Sequence, residues 1–180
     1  MRLNRAAFLD RDGVLTEAKV VDGIPRSPRL ASELVILPEA GPACRALAEV
    51  GLKLVCVTNQ PEIARKSLDP AEVEAMNEIL QRELGLDEVV VCPHDDVDGC
   101  DCRKPLPGMI IDAARRLDVD LPSSFTVGDR WRDVNAGRSA GTLTVFIDRG
   151  YDEPLRERPD VTVGGIQEAS EWIIEQIARR

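Results

Sequence analysis

The sequence predicts an α/β fold in which a parallel sheet carries helices on both faces. Short apolar runs rich in β-branched residues alternate along the chain with segments whose apolar residues recur at helical spacing. Such alternation brings successive strands parallel, because each helix returns the chain to the same end of the sheet. The 180 residues suit one domain. We therefore expect a single domain that spans residues 1–180.

The expected strands and helices follow one another in order. Strands are expected over residues 5–9, 52–57, 89–91, 125–127, 142–147 and, at an edge of the sheet, 161–163. Helices are expected over residues 38–50, 69–84, 108–117, 133–140 and 167–178, with Asp133 as the cap of the fourth. Residues 17–37 contain several prolines and predict a long irregular loop, either shaping a site or forming an exposed linker.

The composition limits the partners of the protein. A formal charge of −9 disfavours binding to nucleic acid. No apolar run approaches the roughly 20 residues of a membrane span, and we expect no signal peptide. An odd number of clustered cysteines indicates a reducing compartment and a metal site. We therefore expect a cytoplasmic monomer that acts on a small molecule, without nucleic acid or membrane partners.

Four residues form a candidate zinc site. Cys92, His94, Cys100 and Cys102 are arranged as C-x-H-x5-C-x-C, and His94 is the only histidine in the chain. Three thiolates and an imidazole suit tetrahedral Zn²⁺ and leave no position for water, so we predict a structural rather than a catalytic zinc. The alternative is a group of free surface cysteines. The aspartates between them lack the ligand spacing of an EF-hand calcium loop.

Polar residues follow several of the predicted strands. They comprise carboxylates, oxyanion donors and one cation, namely Asp10, Asp12, Thr58, Asn59, Lys104, Asp129 and Asp133. Because the carboxyl ends of parallel strands share one edge of a sheet, these residues can meet there. Asp10 and Asp129 offer the hard oxygen ligands that Mg²⁺ prefers. Each motif alone is also an ordinary polar turn, so only their combination predicts a site.

The combination predicts phosphoryl transfer. Mg²⁺ and Lys104 would offset the repulsion between a phosphate and a carboxylate. Asp10 could then attack phosphorus to form an aspartyl phosphate. Asp12, which we expect beside anions that favour its protonated form, could protonate the leaving oxygen and later activate water.

Four motifs, DxDGVLT, VCVTN, RKP and GDRWRD, resemble in this order the phosphatases of the haloacid dehalogenase superfamily. The resemblance implies a Rossmann-like sheet, with Asp10 as nucleophile and Asp12 as acid/base. It implies phosphate binding by Thr58 and Lys104, with Asn59 beside them. The implied magnesium residues are Asp10, Asp12 and Asp129, with Asp133 in support. The short spacing between motifs leaves no room for a large cap, so the cap should be minimal and the site open.

A narrower resemblance comes from LDRDG, VTNQ, the CPH…CDCRKP loop and PGM. These resemble the D-glycero-D-manno-heptose 1,7-bisphosphate phosphatases and the related histidinol-phosphate phosphatases, and imply that Arg103 contacts the substrate. Pro61 and Glu62 depart from the heptose pattern. Arg26 and Arg29 could meet a second phosphate. A receiver-like phospho-switch and a nucleic acid 3′-phosphatase are the remaining alternatives, which the predicted acid/base and the negative charge respectively disfavour.

Overall fold

The computed structural model describes residues 3–21 and 23–179, so residues 1, 2, 22 and 180, including both ends of the predicted domain, lie outside the described residues. The strands are β1 (Arg5–Leu9), β2 (Lys19–Val21), β3 (Ile24–Arg26), β4 (Leu52–Asn59), β5 (Glu88–Cys92), β6 (Phe125–Gly128), β7 (Leu143–Ile147) and β8 (Val161–Val163). Six of them form one sheet in the order β5-β4-β1-β6-β7-β8. Every pairing in this sheet is parallel.

Helices cover both faces of the sheet. They are α1 (Ala40–Glu49), α2 (Pro70–Leu84), α3 (Gly108–Arg116), α4 (Trp131–Ala140) and α5 (Ile166–Ala178). Successive residues of β1 enter different cores, because side chains alternate across a strand. Ala7 and Leu9 pack with α1, α2 and α5, whereas Ala6 and Phe8 pack with α3. The predicted α/β fold with helices on both faces is therefore confirmed.

The main disagreement lies in residues 17–37, which the sequence analysis predicts to be irregular. The segment contains the antiparallel hairpin β2–β3, with Lys19 opposite Arg26, and a short 3-10 turn. All three residues of β2 are exposed, so the chain shows no alternation of buried and exposed positions there. This hairpin is the small cap of the fold. None of the helices in the described residues is long and apolar enough to cross a membrane.

The fourth helix begins earlier than predicted. It starts at Trp131, and Asp133 lies at the third helical position instead of the cap. From there, Asp133 Oδ2 accepts a hydrogen bond from the main-chain N–H of Arg130 (3.0 Å). The aspartate thus still gives a main-chain N–H at the start of the helix a hydrogen-bond partner, but it does so from inside the first turn.

The order of the strands places the site. The chain runs from β1 to β4 on one side, and later returns to add β6 on the other side of β1. Connections leave in opposite directions at this point, which is where open α/β sheets bind ligands at the carboxyl ends of their strands. Asp10 and Asp12 follow β1, Thr58 and Asn59 end β4, and Asp129 and Asp133 follow β6, whereas Lys104 lies after β5.

Candidate active site

A buried lysine joins two of the predicted motifs. The Lys104 ammonium donates to Asp10 Oδ1 at 2.7 Å and to the Val57 carbonyl at 2.8 Å. Its Nζ also lies 2.5 Å from Asp133 Oδ1. Lys104 is only 3% exposed. A charge buried this deeply needs such pairing, and the two carboxylates and the carbonyl engage all three ammonium protons.

A third carboxylate completes a candidate metal centre. Carboxylate oxygens of Asp10, Asp129 and Asp133 lie within 4.8 Å of one another. The hydroxyl of Tyr151 donates to Asp129 Oδ2 (2.9 Å), whereas Asp129 Oδ1 is buried and has no hydrogen-bond partner among the described residues. Buried polar atoms usually have a partner, so this oxygen is available to bind a cation. The donor set, all hard oxygens, fits Mg²⁺.

Electrostatics explain why this cluster calls for a cation. Burial raises the pKa of the Asp10 carboxyl to about 6; Lys104 opposes the rise and Asp133 adds to it. Burial, followed by the charges of Asp10 and Asp133, also holds the pKa of Asp129 well above its usual range. Burial alone would lower the pKa of Lys104, but the two carboxylates that flank it outweigh burial and raise it. A divalent cation would stabilise the charged carboxylates.

A glycine makes room for the metal ligands. Gly13 has φ +92°, and a Cβ built there would lie 1.8 Å from Asp129 Oδ2. Only glycine leaves this space open and adopts the left-handed conformation without strain. The glycine of the first motif therefore does more than turn the chain: it lets the loop after β1 approach the end of β6.

Asp12 lies in an environment that the sequence analysis did not anticipate. Its carboxylate accepts hydrogen bonds from Arg11 through Nε (3.2 Å) and Nη2 (3.1 Å). Thr16 (3.2 Å), Ser27 (2.7 Å) and Gln60 (3.1 Å) also donate to it. The sequence analysis expects anions beside Asp12. Its hydrogen-bond partners are donors instead, although Asp12 lies close enough to Asp10 for its charge to act on that carboxylate. Its carboxylate is also outside the three-carboxylate group, so the predicted role of Asp12 in metal binding gains no support from its side chain.

Thr58 and Asn59 end β4 beside Lys104. Thr58 is buried and its hydroxyl accepts a hydrogen bond from Gln60 Nε2 (3.0 Å). The Asn59 amide donates to the Lys104 carbonyl (2.9 Å) and accepts from the Lys104 N–H (3.0 Å). The amide nitrogen and the amide oxygen of Asn59 thus both bond to the main chain of Lys104. This arrangement favours a role in holding Lys104 over direct contact with phosphate.

The predicted zinc ligands converge. Neighbouring pairs among Cys92, His94 Nδ1, Cys100 and Cys102 are separated by 3.1 to 3.7 Å. Tetrahedral zinc, with Zn–S of about 2.3 Å and Zn–N of about 2.0 Å, holds its ligands about 3.5–3.8 Å apart. Two of these separations lie in that range and three are shorter, so the four ligand atoms converge on one point, as a single tetrahedral ion requires. All five cysteines of the chain are free thiols, and Cys44 and Cys56 are buried in the core as expected.

Arginines surround the entrance to the carboxylate cluster. Beside the cleft over Asp10 and Lys104 lies a second cleft of about 240 Å³, which also contains the acids Glu62 and Asp96. Its cationic lining residues are Arg26, Arg65, Arg103, Arg130 and Arg132. Of the two arginines suggested for a second phosphate, Arg26 lines both clefts. Arg29 lines neither of them, but it lines a third cavity together with Arg26, Lys19 and Glu33.

Sequence reasoning missed several residues of the site. Arg11 is fully buried and also donates to Asn77 Oδ1 (3.2 Å), so it links the first motif to α2. Ser27 comes from the hairpin segment, and Tyr151 from the chain after β7. For Arg11, the one available signal in the sequence was its position as a charged residue between the two aspartates of the first motif. Ser27 and Tyr151 reach the site only through the path of the folded chain.

Comparisons with known proteins agree with this geometry. Residues 26–141 match the family model of the haloacid dehalogenase-like hydrolases. A D-glycero-beta-D-manno-heptose-1,7-bisphosphate 7-phosphatase of Bordetella bronchiseptica is 36% identical, over 91% of this chain and 88% of its own length. The enzyme of the same name from Yersinia pestis is 32% identical, over 96% of this chain and 91% of its own.

A solved structure is similar over the whole fold. The crystal structure of the D,D-heptose 1,7-bisphosphate phosphatase from B. bronchiseptica, complexed with magnesium and phosphate, superposes with a TM-score of 0.80 at 30% identity. The match covers 96% of this chain and 99% of that protein. The family model, the relatives and the shared fold lead to one conclusion: this chain belongs to the haloacid dehalogenase-like hydrolase family.

Proposed function

We propose that this protein is a magnesium-dependent phosphomonoesterase that removes the 7-phosphate from a D-glycero-D-manno-heptose 1,7-bisphosphate. The observation that carries the proposal is the buried ion cluster, in which Lys104 is shared by Asp10 and Asp133 beside the unpaired oxygen of Asp129. The names of the relatives and of the similar crystal structure support the substrate.

Asp10 and Asp12 would divide the chemistry. Asp10 attacks phosphorus, so that a bond forms between its carboxylate oxygen and phosphorus while the ester bond to the sugar oxygen breaks. Asp12 gives a proton to that leaving oxygen. In the second step Asp12 takes a proton from water, which attacks the aspartyl phosphate and regenerates the Asp10 carboxylate with release of phosphate. To reach the leaving oxygen, Asp12 must give up part of its contact with Ser27 or Gln60.

The remaining residues would bind and orient the phosphoryl group. Asp10 and Asp129 would hold Mg²⁺, with Asp133 beside them, and the ion supplies positive charge that stabilises the transferring phosphoryl oxygens. Lys104, which contacts the carboxylates of Asp10 and Asp133, would supply a second positive charge close to the phosphoryl group. The Thr58 hydroxyl lies near the end of β4 and lines the same cleft, and we expect it to donate to a phosphoryl oxygen.

The arginine-lined cleft supports a substrate with a second phosphate. Arg26 has no salt bridge within the described residues, and it lines both the cleft over Asp10 and the cleft shared with Arg103 and Arg132. A guanidinium in this position suits a phosphate through two parallel hydrogen bonds. Histidinol phosphate, the alternative substrate, carries an ammonium group that these arginines would repel.

Zinc is proposed as a second, structural metal. Cys92, His94, Cys100 and Cys102 occupy all four positions of a tetrahedral site, so the ion would have no open coordination for chemistry. Cys102 lies two residues before Lys104, and the Asp101 carbonyl accepts from the Gly108 N–H (3.0 Å). The ion would therefore fix the segment that delivers Lys104 to Asp10. Free thiols as zinc ligands also favour a reducing compartment, consistent with the predicted cytoplasmic location.

A substrate panel tests the proposed activity. Purified protein is assayed with heptose 1,7-bisphosphate, heptose 7-phosphate and histidinol phosphate, and we expect the highest kcat/KM for the bisphosphate. Asp10→Asn should abolish turnover while retaining the folded state, because the nucleophile is lost. Arg26→Met should raise KM for the bisphosphate more than for the monophosphate.

Each alternative predicts a different result from this panel. Retained turnover by Asp10→Asn would refute the role of Asp10. A stable aspartyl phosphate without repeated turnover would indicate a receiver-like switch. A preference for histidinol phosphate would refute the proposed substrate and leave the phosphatase chemistry in place.

A further inference from the structure

A segment after β7 reaches back to the metal centre. The Arg149 Nε donates to the Gly13 carbonyl (2.9 Å), and the Gly150 N–H donates to Asp148 Oδ1 (2.9 Å). These contacts turn the chain so that the Tyr151 hydroxyl donates to Asp129 Oδ2 (2.9 Å). Tyr151 is therefore the neighbour that connects the chain after β7 to the carboxylate at the end of β6.

The same segment is anchored on its other side. Glu153 accepts two hydrogen bonds from Arg130, at 2.8 and 2.7 Å, and a third from the Trp131 indole N–H (3.0 Å). The guanidinium of Arg156 lies 3.6 Å from the centre of the Trp131 ring. Arg130 and Trp131 directly follow Asp129 in the chain. Residues 149–156 thus contact Asp129 itself and the two residues that follow it in the chain.

We propose that Tyr151 is a positioning residue for magnesium, which holds Asp129 so that its free Oδ1 faces Asp10 and Asp133. This inference rests on the magnesium site of the proposed function. Asp129 is 1% exposed, so water cannot readily take the place of the tyrosine at Oδ2. Without a donor there, repulsion from the neighbouring carboxylates would favour rotation of Asp129 away from them.

The shape of the site supports this role. A Cβ at Gly13 would lie 1.8 Å from Asp129 Oδ2 and 3.1 Å from the Tyr151 hydroxyl oxygen. The space left by the missing side chain is therefore occupied by this hydrogen bond. Partners that orient a metal ligand from outside the coordination sphere typically change metal affinity by about 10- to 100-fold when removed.

Tyr151→Phe tests the inference, since it removes the hydroxyl and keeps the ring. Magnesium binding is measured by calorimetric titration without substrate, and we expect the dissociation constant to rise by about 10- to 100-fold. At saturating magnesium, kcat should return to near the wild-type value, because no reacting group has been lost. The thermal midpoint measured without magnesium should fall by a few degrees, because the buried Asp129 Oδ2 loses its donor. A residue with a merely structural role would lower that midpoint in the same way but leave magnesium affinity unchanged.

Ser170→Ala is the matched control. It removes a buried hydroxyl that donates to the Gln167 carbonyl (2.7 Å) in α5, a helix that carries none of the three carboxylates of the metal centre. This variant should bind magnesium as the wild type does.

A second measurement needs no variant. Tyr151 is the only tyrosine of the chain, so a ¹³Cζ-tyrosine label gives one signal, and this signal should shift when magnesium is added. Equal magnesium affinity in Tyr151→Phe, or no shift of the label, would overturn the positioning role and leave the phosphatase proposal standing. Wild-type protein that binds no magnesium would overturn both.

Discussion

Replacing Lys104 with methionine removes the one positive charge that, among the described residues, forms ion pairs with Asp10 and Asp133, while keeping a side chain of similar length. Lys104 is 3% exposed and each of these carboxylates is also buried. The change therefore leaves buried negative charges without a partner. Removing one partner of a buried ion pair typically costs about 3–5 kcal/mol of stability.

The measurement is thermal unfolding of wild type and Lys104→Met, with magnesium left out of the buffer rather than chelated so that zinc stays in place. For a chain of this length each kcal/mol lowers the midpoint by roughly 2–4 °C, so we expect a loss of about 6–20 °C. Added magnesium should recover part of the loss, because it neutralises the same carboxylates. Turnover should fall sharply, since the cation that faces the phosphoryl group is gone.

Lys53→Met is the matched control. Lys53 also forms an ion pair at 2.7 Å, with Asp87, but its side chain is 41% exposed. Exposed pairs contribute about 0–1 kcal/mol, so this variant should unfold within a few degrees of the wild type. If Lys104→Met lost no more stability than Lys53→Met, the inference that Lys104 neutralises a buried acidic cluster would be wrong.

Three further predictions follow from the two metal sites. Gly13→Ala should abolish measurable magnesium binding, because its Cβ would overlap Asp129; Gly85→Ala, with φ +66° but nothing within 4 Å, should show only the strain of about 1–2 kcal/mol and bind magnesium normally. Burial raises the pKa of the Asp10 carboxyl to about 6. In metal-free protein, Asp10 therefore contributes to folding stability while it is protonated, and this contribution is lost as the pH rises through that value. Magnesium needs the charged carboxylate, so the rise in thermal midpoint on adding it should be larger at pH of about 7.5 than at about 5, and a constant rise would contradict this assignment. Cys102→Ser should lower both the zinc content and the thermal midpoint, and metal analysis that finds zinc undiminished would refute this ligand assignment.

The motifs were predictable because each is local. Strand-forming runs followed at once by polar residues place Asp10 and Asp129 directly after β1 and β6, whereas Lys104 comes twelve residues after the end of β5. Parallel strands align their carboxyl ends, so residues 94 positions apart, such as Asp10 and Lys104, can be predicted to meet. The zinc ligands lie within one short loop, and their spacing alone was enough to group them.

The hairpin β2–β3 was not predictable in the same way. Its strands have three residues each and pair only with each other, so no buried face imposes a pattern on the sequence. Prolines in this segment suggested a loop, but β2 and β3 pair as an antiparallel hairpin in the structure. The consequence for the site is substantial, since the hairpin segment brings Arg26 and Ser27 over the carboxylates.

The amino-acid sequence by itself determined the alternation of strands and helices, the ligands grouped in the zinc loop and the polar residues that meet at the sheet edge. Only the tertiary structure decided that Arg11, Ser27 and Gln60 surround Asp12, and that Tyr151 reaches Asp129. The physical reason is the number of residues along the chain over which each kind of signal acts. Periodicity and turn chemistry act over a few residues, whereas a hydrogen bond across the site depends on where each loop is carried by the packing of the whole sheet.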